Sequence, residues 1–275
     1  MVERRDRPVD KPGRAEVNGH MTFAIPGAAY DRFMGRYSAK LAPLFADFAG
    51  IEPNMRVLDV GCGPGALTTE LARRVGAANV AGIDPSSSFV EACRARLPDA
   101  DIQSGSAEHL PWGDQEFDAA LSQLVLSFVS DADQVAREIR RVVRERGPIA
   151  ACMWMKGPGL QIAQLFWQSA ASVDPTLTNR ELEASFREPG EIANLWKRSG
   201  LRDVEETFLE VSTTYDSFDD FWTPVESAAG SIGAYMATAD AERRAAIREA
   251  CRVRLGNPQS PFELSARACA ARGRV

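Results

Sequence analysis

The sequence predicts an α/β fold built on a mostly parallel sheet with helices on both faces, and three observations carry that prediction. Short β-rich runs alternate with amphipathic segments from Arg56 to Met153. A glycine-rich loop links the first β-rich run to the first of those helical segments, and longer helical stretches separate the final two β-rich runs. Repeated βα units place parallel strands side by side because each crossover helix must pack back onto the sheet.

Taken in order, Arg56–Val60, Val80–Asp84, Asp101–Ser104, Asp118–Leu121 and Ile149–Met153 read as strands. Leu67–Val75, Ser86–Arg96 and Ala132–Val143 carry apolar residues at spacings of three and four and read as helices. Upstream, Tyr30, Phe33, Met34, Tyr37, Leu41, Leu44, Phe45 and Phe48 recur at helical spacing, and Gly35 and Pro43 predict a division into two short helices. Downstream, helices are expected over Leu160–Val173 and Pro189–Ser199, with Pro189 in a first turn and Gly200 as the stop. A strand near Val204–Val211, a helical insertion over Phe218–Leu255 and a last strand over Phe262–Ala270 complete the reading. Residues 1–22 mix charge, Pro and Gly with almost no large apolar side chain and read as a disordered tail ahead of one domain spanning 23–275.

Composition narrows the function classes. The 275-residue chain is 45% hydrophobic and 25% charged, ordinary values for a globular protein with its own core. A net charge of -6 and a pI near 5.2 supply no positive field for a phosphate backbone, so no nucleic-acid partner is expected. Cys62, Cys93, Cys152, Cys251 and Cys269 show no metal-ligand spacing, so neither a metal nor a disulfide framework is expected. Without an apolar run long enough to span a membrane or a secretory signal, the expectation is a cytoplasmic protein with no membrane partner.

The chemistry concentrates in Val57-Leu58-Asp59-Val60-Gly61-Cys62-Gly63-Pro64-Gly65, a strand running into a glycine turn and then a helix. Such a turn lets the backbone approach a ligand where strand order reverses in the sheet. Gly61, Gly63 and Ala66 also fit a dinucleotide fingerprint, so the glycines alone leave an NAD(P)-dependent oxidoreductase open. Asp59 discriminates. A carboxylate at the strand's end suits a cationic ligand and opposes a pyrophosphate, and S-adenosylmethionine brings a sulfonium and an ammonium to that place. Asp84, ending the second strand, can accept from both ribose hydroxyls of any adenosine-bearing ligand.

From Tyr30 to Phe128 the chain resembles class I S-adenosylmethionine-dependent methyltransferases, in the bacterial small-molecule group (type 11) that includes the ubiquinone and menaquinone biosynthesis enzymes. The resemblance rests on Val57–Gly65, on Asp84 followed by Pro85, on Gly105-Ser106-Ala107-Glu108-His109-Leu110-Pro111-Trp112, and on Phe117-Asp118-Ala119-Ala120-Leu121-Ser122. It implies a seven-stranded Rossmann-like sheet whose last strand is antiparallel, with helical insertions at about 155–200 and 216–256 capping the substrate. It further implies that Gly61, Gly63 and Gly65 cradle the cofactor, that Ser106, Ala107 and Glu108 border the adenine, and that Ser122 lies beside it. Ser106 stands where the family usually has Asp. By the same resemblance Tyr30, Arg36 and Tyr37 close the site, with Arg36 placed to pair the methionine carboxylate.

A base for the acceptor, where one is needed, belongs at the carboxyl ends of strands four and five, where Ser122, Gln123 and Trp154 stand. None is a good base. Of the two histidines, His20 falls in the tail and His109 reads as an exposed loop residue. Cys62 reads as a small filler, and Asp131 and Asp133 as cap and dipole partners of the following helix. The aromatic residues of the two insertions read first as core and second as an apolar acceptor pocket. The expected function is methyl transfer to a small, partly apolar molecule. A cofactor-binding protein without catalysis and a homodimer are left open.

Overall fold

The structure, a computed structural model, describes residues 30–177, 185–226 and 230–275. The tail expected over 1–22, with His20, lies outside the described residues. The strands are β1 (Val57–Val60), β2 (Val80–Asp84), β3 (Asp101–Ser104), β4 (Ala119–Gln123), β5 (Pro148–Trp154), β6 (Arg202–Tyr215) and β7 (Phe262–Arg274). They form one seven-stranded sheet in the order β3-β2-β1-β4-β5-β7-β6. Pairing is parallel from β3 to β5, and β7 runs antiparallel to both β5 and β6. The fold class read from the sequence is the one observed. β1, β2, β4 and β5 are buried along their whole length, which is why they read as largely apolar runs rather than alternating ones, while β3, at the sheet's edge, buries only Ile102.

Helices α1 (Arg36–Ala49), α2 (Ala66–Val75), α3 (Ser87–Arg96), α4 (Ala132–Val142), α5 (Gln161–Val173) and α6 (Glu191–Arg198) precede three more, α7 (Phe218–Glu226), α8 (Gly230–Thr238) and α9 (Ala241–Arg254). The insertion read as one helical stretch over Phe218–Leu255 is therefore these three. Two local expectations are corrected. In place of two short helices before β1, a π-helical turn over Asp31–Gly35 continues directly into α1, and Pro43 sits inside that helix. Gly35 keeps ordinary right-handed helical angles, and a Cβ there would touch the Asp31 side chain at 3.0 Å, so close packing rather than a break explains its small size. Pro189 lies ahead of α6, not in its first turn, because Gly190 at φ 86° forms the N-cap. Gly200, at φ 82°, does follow the helix as its stop.

The sheet separates two cores. One face carries Val57, Leu121, Ala150, Cys152 and Trp154 against Tyr37, Leu41 and Phe45 of α1. The other carries Leu58, Val60, Ala120, Ala151 and Met153 against α4 and α6. Trp196 of α6 is fully buried and donates its indole N–H to the Ala271 carbonyl of β7 at 3.0 Å, fastening that helix to the antiparallel edge. Helices α7 to α9 emerge where β6 and β7 end, a junction closed by stacked Tyr215 and Phe262 rings 5.5 Å apart. Among the described residues no helix is long and apolar enough to cross a membrane.

Leu41 is inaccessible and belongs to the helix that covers the first face. Leu41→Ala should lower unfolding free energy by about 2–5 kcal/mol, the range for cavity-forming core truncations, measurable as a reduced urea midpoint at an unchanged slope.

Candidate functional site

The glycine turn closes the carboxyl end of β1. Gly61 and Cys62 both donate their amides to the Ile83 carbonyl of β2, at 2.8 and 3.0 Å, which folds the chain back across the sheet. Gly61 has φ 78°, and a Cβ there would lie 2.3 Å from Val125. Gly63, at φ 54°, faces open space within 4 Å, so its backbone is accessible to a ligand. Gly65 begins α2 at φ 102°, against Cys93.

Asp59 and Asp84 meet over this turn. Asp59 is 1% exposed; one carboxylate oxygen accepts from Thr68 Oγ1 at 2.7 Å and the other has no partner. Burial pushes its carboxyl up to about 7, against the hydrogen bond from Thr68, with the neighbouring Asp84 charge adding to the rise. Asp84 accepts the Gly63 amide at 2.9 Å on one oxygen and the Ser86 amide at 2.9 Å on the other, so it ties the second strand to the glycine turn. Burial raises its carboxyl too, opposed by those two amides. A buried carboxylate with an oxygen unpartnered and no cation beside it is costly unless a positive ligand completes it. Pro85 follows at the exposed start of the next loop.

The N-terminal segment covers this end of the sheet. Tyr30 packs edge-on against Phe89, at 5.4 Å between ring centres, and burial with the nearby Asp84 and Asp31 charges holds its phenol above the ordinary range. Tyr37 is inaccessible and its hydroxyl shares a 3.1 Å hydrogen bond with that of Tyr215; burial raises both phenols. Arg36 is placed differently from the expectation that it meets a carboxylate of the cofactor. It pairs with Asp220 of α7 through two nitrogens at 3.0 and 3.1 Å and lies 4.8 Å above the Tyr215 ring. A role toward a ligand carboxylate would require Arg36 to exchange that partner.

The loop after β3 is self-satisfied. Ser106 donates its hydroxyl to Glu108, whose other oxygen accepts the Ser130 amide at 2.9 Å. Burial raises the Glu108 carboxyl, but these hydrogen bonds outweigh it and hold the group below its usual range. Glu108 therefore braces the β3 and β4 loops against each other, while Ala107 is buried and His109 exposed. Asp131 caps α4 by accepting from the Gln134 amide, and Asp133 pairs with Arg198 at 2.6 Å.

The three residues suggested as bases do not share one surface. Ser122 is inaccessible, alternates with Leu121 and Gln123, and donates to the Val60 carbonyl at 3.0 Å. It thus belongs to the opposite face from Asp59 and is held there. Gln123 and Trp154 do lie on the Asp59 face, at the ends of adjacent strands. Gln123 donates to the Ser38 carbonyl at 3.1 Å, and Trp154 packs edge-on to Tyr37 at 6.3 Å. Sequence reasoning missed Thr68, Tyr215 and Leu124. Leu124, at φ 66°, bends the chain after β4 and brings the following Val125 against Gly61. Cys62 fills a small apolar cluster with Val90, Cys93 and Ile102, and its thiol lies high because of a hydrogen bond with Cys93 and burial.

Residues 58–151 match the methyltransferase domain family. That match spans both acidic residues and the loops just described. Over that stretch the chain is similar to S-adenosylmethionine-dependent methyltransferase domains. The chain is 33% identical over 147 residues to a demethylmenaquinone methyltransferase of Lactobacillus johnsonii, covering 51% of this chain and 57% of that protein. It is 29% identical over 208 residues to a malonyl-[acyl-carrier protein] O-methyltransferase of Geobacter sulfurreducens, covering 74% and 73%. The first of these shares little more than half its length with this chain. In fold, a Haemonchus contortus phosphoethanolamine N-methyltransferase 2 in complex with S-adenosyl-L-methionine aligns over 90% of this chain and 56% of that one, with a TM-score of 0.55 and 15% identity. The matched stretch holds the glycine turn and the buried Asp59 and Asp84 at one edge of the sheet, a set of residues whose chemistry fits S-adenosylmethionine.

Gly61→Ala adds a Cβ where Val125 already stands and forces a left-handed backbone on a residue that disfavours it. The variant should lose several-fold or more of its affinity for S-adenosylhomocysteine, and Val125→Ala should restore only part of it in calorimetric titrations, because the backbone conformation remains strained.

Proposed function

We propose that this protein transfers a methyl group from S-adenosylmethionine to a small, partly apolar molecule, and that it acts as an enzyme rather than as a cofactor-binding scaffold. The observation that carries this reading is Asp59: a buried carboxylate with one oxygen unpartnered, at the end of β1 above a glycine turn that leaves Gly63 open. A pyrophosphate at that place would face an anion, which argues against the oxidoreductase alternative.

S-adenosylmethionine supplies the methyl group on a sulfonium that is its own leaving group, so the protein's tasks are binding, alignment and exclusion of water. Asp59 offers its free oxygen to a cation, and Asp84 retains acceptor capacity on both oxygens beyond its two amide bonds. Gly61, Gly63 and Gly65 shape the backbone cradle. Tyr30, Ser106, Ala107, Glu108 and Pro85 would border the adenosine, with Glu108 acting through Ser106 and the Ser130 amide. Ser122 fixes the β1–β4 junction from behind. We assign residues from about 155–200 and 216–256 to a cap over the acceptor; of that range, 178–184 and 227–229 are not described. The cap's aromatic content, including Phe166, Trp167, Phe218, Phe221, Trp222 and Tyr235, supports an apolar acceptor. A cytoplasmic setting accords with free cysteines and with the absence of a membrane-crossing helix among the described residues.

Calorimetric titration with S-adenosylhomocysteine and, separately, NADH tests the cofactor. Saturable binding of the first alone is expected, weakened at least about tenfold in Asp84→Ala, as loss of charge-assisted hydrogen bonds requires. Binding of NADH instead would overturn the reading. Acceptor-dependent release of S-adenosylhomocysteine then separates an enzyme from a scaffold.

Asp59 also gives the affinity a pH dependence. A cationic ligand binds the ionised carboxylate, so below about pH 7 binding must displace a proton, and affinity should fall by up to about tenfold per pH unit. In the ligand-free protein the sign is opposite for stability. The folded carboxyl titrates above its unfolded value, so the folded state holds more protons and stability declines as pH rises from about 4 toward 7. Affinity for S-adenosylhomocysteine measured from about pH 5.5 to about pH 8 should show this fall in the parent and lose it in Asp59→Asn.

A further inference from the structure

Two polar atoms at the carboxyl ends of β4 and β5 are buried and have no partner: Gln123 Oε1 and Trp154 Nε1. The residues are 8% and 6% exposed. Gln123 pairs with Cys152 in the β4–β5 register and Trp154 stands two positions beyond Cys152, so both side chains leave the same face of adjacent strands. That face also carries Asp59. The orientation of the Gln123 amide follows from its neighbour: the Ser38 carbonyl can only accept, so the NH₂ end turns to it and the oxygen is the end left over. Trp154 is held by the Tyr37 ring. Each unsatisfied buried group disfavours the folded state, a cost that a ligand can recover.

We propose that Gln123 and Trp154 form an acceptor subsite that recognises a neutral hydroxyl group, and that carboxylates are discriminated against there; this rests on the methyltransferase reading above. Gln123 Oε1 requires a donor and Trp154 Nε1 requires an acceptor. A hydroxyl supplies both and keeps a second lone pair unused. A carboxylate has no hydrogen for Gln123 and would add a second anion to the face that holds Asp59. A neutral amine could donate to Gln123 but would have to commit its single lone pair to Trp154.

Two of the guanidinium groups near this end of the sheet are already engaged. Arg36 is paired with Asp220, and Arg187 donates to the carbonyls of Trp154 and Met155 at 3.1 and 3.2 Å. Packed side chains link the subsite to a cleft at the surface. A cleft of about 440 Å³ lined by Arg32, Arg36, Asp219, Asp220, Thr223 and Pro224 opens where the N-terminal segment meets α7. From Arg36 the contacts pass through Tyr215 and Tyr37 to Trp154.

The test uses the full chain saturated with S-adenosylhomocysteine and two probes of matched apolar body, para-butylphenol and para-butylbenzoate, titrated by calorimetry. The phenol should bind at least about tenfold more tightly than the benzoate. Trp154→Phe keeps an aromatic side chain and deletes the N–H; it should weaken the phenol by about three- to tenfold, as expected for one hydrogen bond, while S-adenosylhomocysteine affinity stays within about twofold. Unchanged phenol affinity in Trp154→Phe, equal or tighter binding of the benzoate, or no phenol binding by the loaded parent would each overturn the subsite. A parent that fails to bind S-adenosylhomocysteine would instead overturn the cofactor reading on which the subsite rests.

Discussion

The structure depends on an incompletely compensated buried charge at the end of β1. Asp59 sits in the middle of the sheet, flanked by β2 and β4, where water cannot reach it. Thr68 satisfies one oxygen from the first turn of α2, and Asp84 stands near enough to raise its carboxyl further. Desolvation of this kind is tolerated in a folded protein when a ligand will supply the missing charge, since the same low dielectric that penalises the bare carboxylate strengthens its pairing with a cation. The glycine turn then has a defined task. It must bend the chain around the carboxylate without side chains filling the space, and it must hand its amides to β2 and to Asp84 so that the turn keeps its shape without the ligand.

The period-two geometry of the strands decides which neighbours can take part. Asp59, Leu121 and Ala150 lie side by side in register, so residues an even number of positions further along β4 and β5 rise on the same face. Gln123 and Trp154 meet that condition and Ser122 does not. The carboxyl ends of the strands thus present a carboxylate, an amide and an indole beneath α1, while Ser122 works on the opposite side as a fastener of β1 to β4.

Most strand positions were legible in the sequence because β1, β2, β4 and β5 are largely apolar runs punctuated by turns, and β3 followed from its place in the βα alternation; Val80–Asp84 and Asp101–Ser104 are found as read. Asp59 and Asp84 were legible through their places at strand ends. The continuity of α1 was not, since Gly35 and Pro43 look like breakers unless the packing of Gly35 against Asp31 is known. Nor could spacing reveal that Arg36 would pair with a residue 184 positions away, or that Glu108 would be consumed by Ser106 and the Ser130 amide. Those partners come from separate elements brought together only by the fold. The facing of Ser122 was available in principle: alternation along Leu121-Ser122-Gln123 puts it opposite Gln123 once the direction of either neighbour is set.

The N-terminal segment and the cap are coupled through one continuous set of contacts, and this bears on how the site can admit ligands. Arg36 joins α7 to the Tyr215 ring, Tyr215 joins β6 to Tyr37, and Tyr37 rests on Trp154 at the end of β5. Both phenols are held protonated well above neutrality by burial, so their mutual hydrogen bond is a fixed strut rather than a proton relay. The exposed link in the set is the Arg36–Asp220 pair, whose side chains are 30% and 31% accessible and therefore screened by solvent. Any opening that exposes Gln123 and Trp154 is thus resisted more by the buried tyrosine and tryptophan packing than by the ion pair at the surface. The covering segment is held chiefly by apolar contact, the kind of interaction that an apolar acceptor entering the same space can replace.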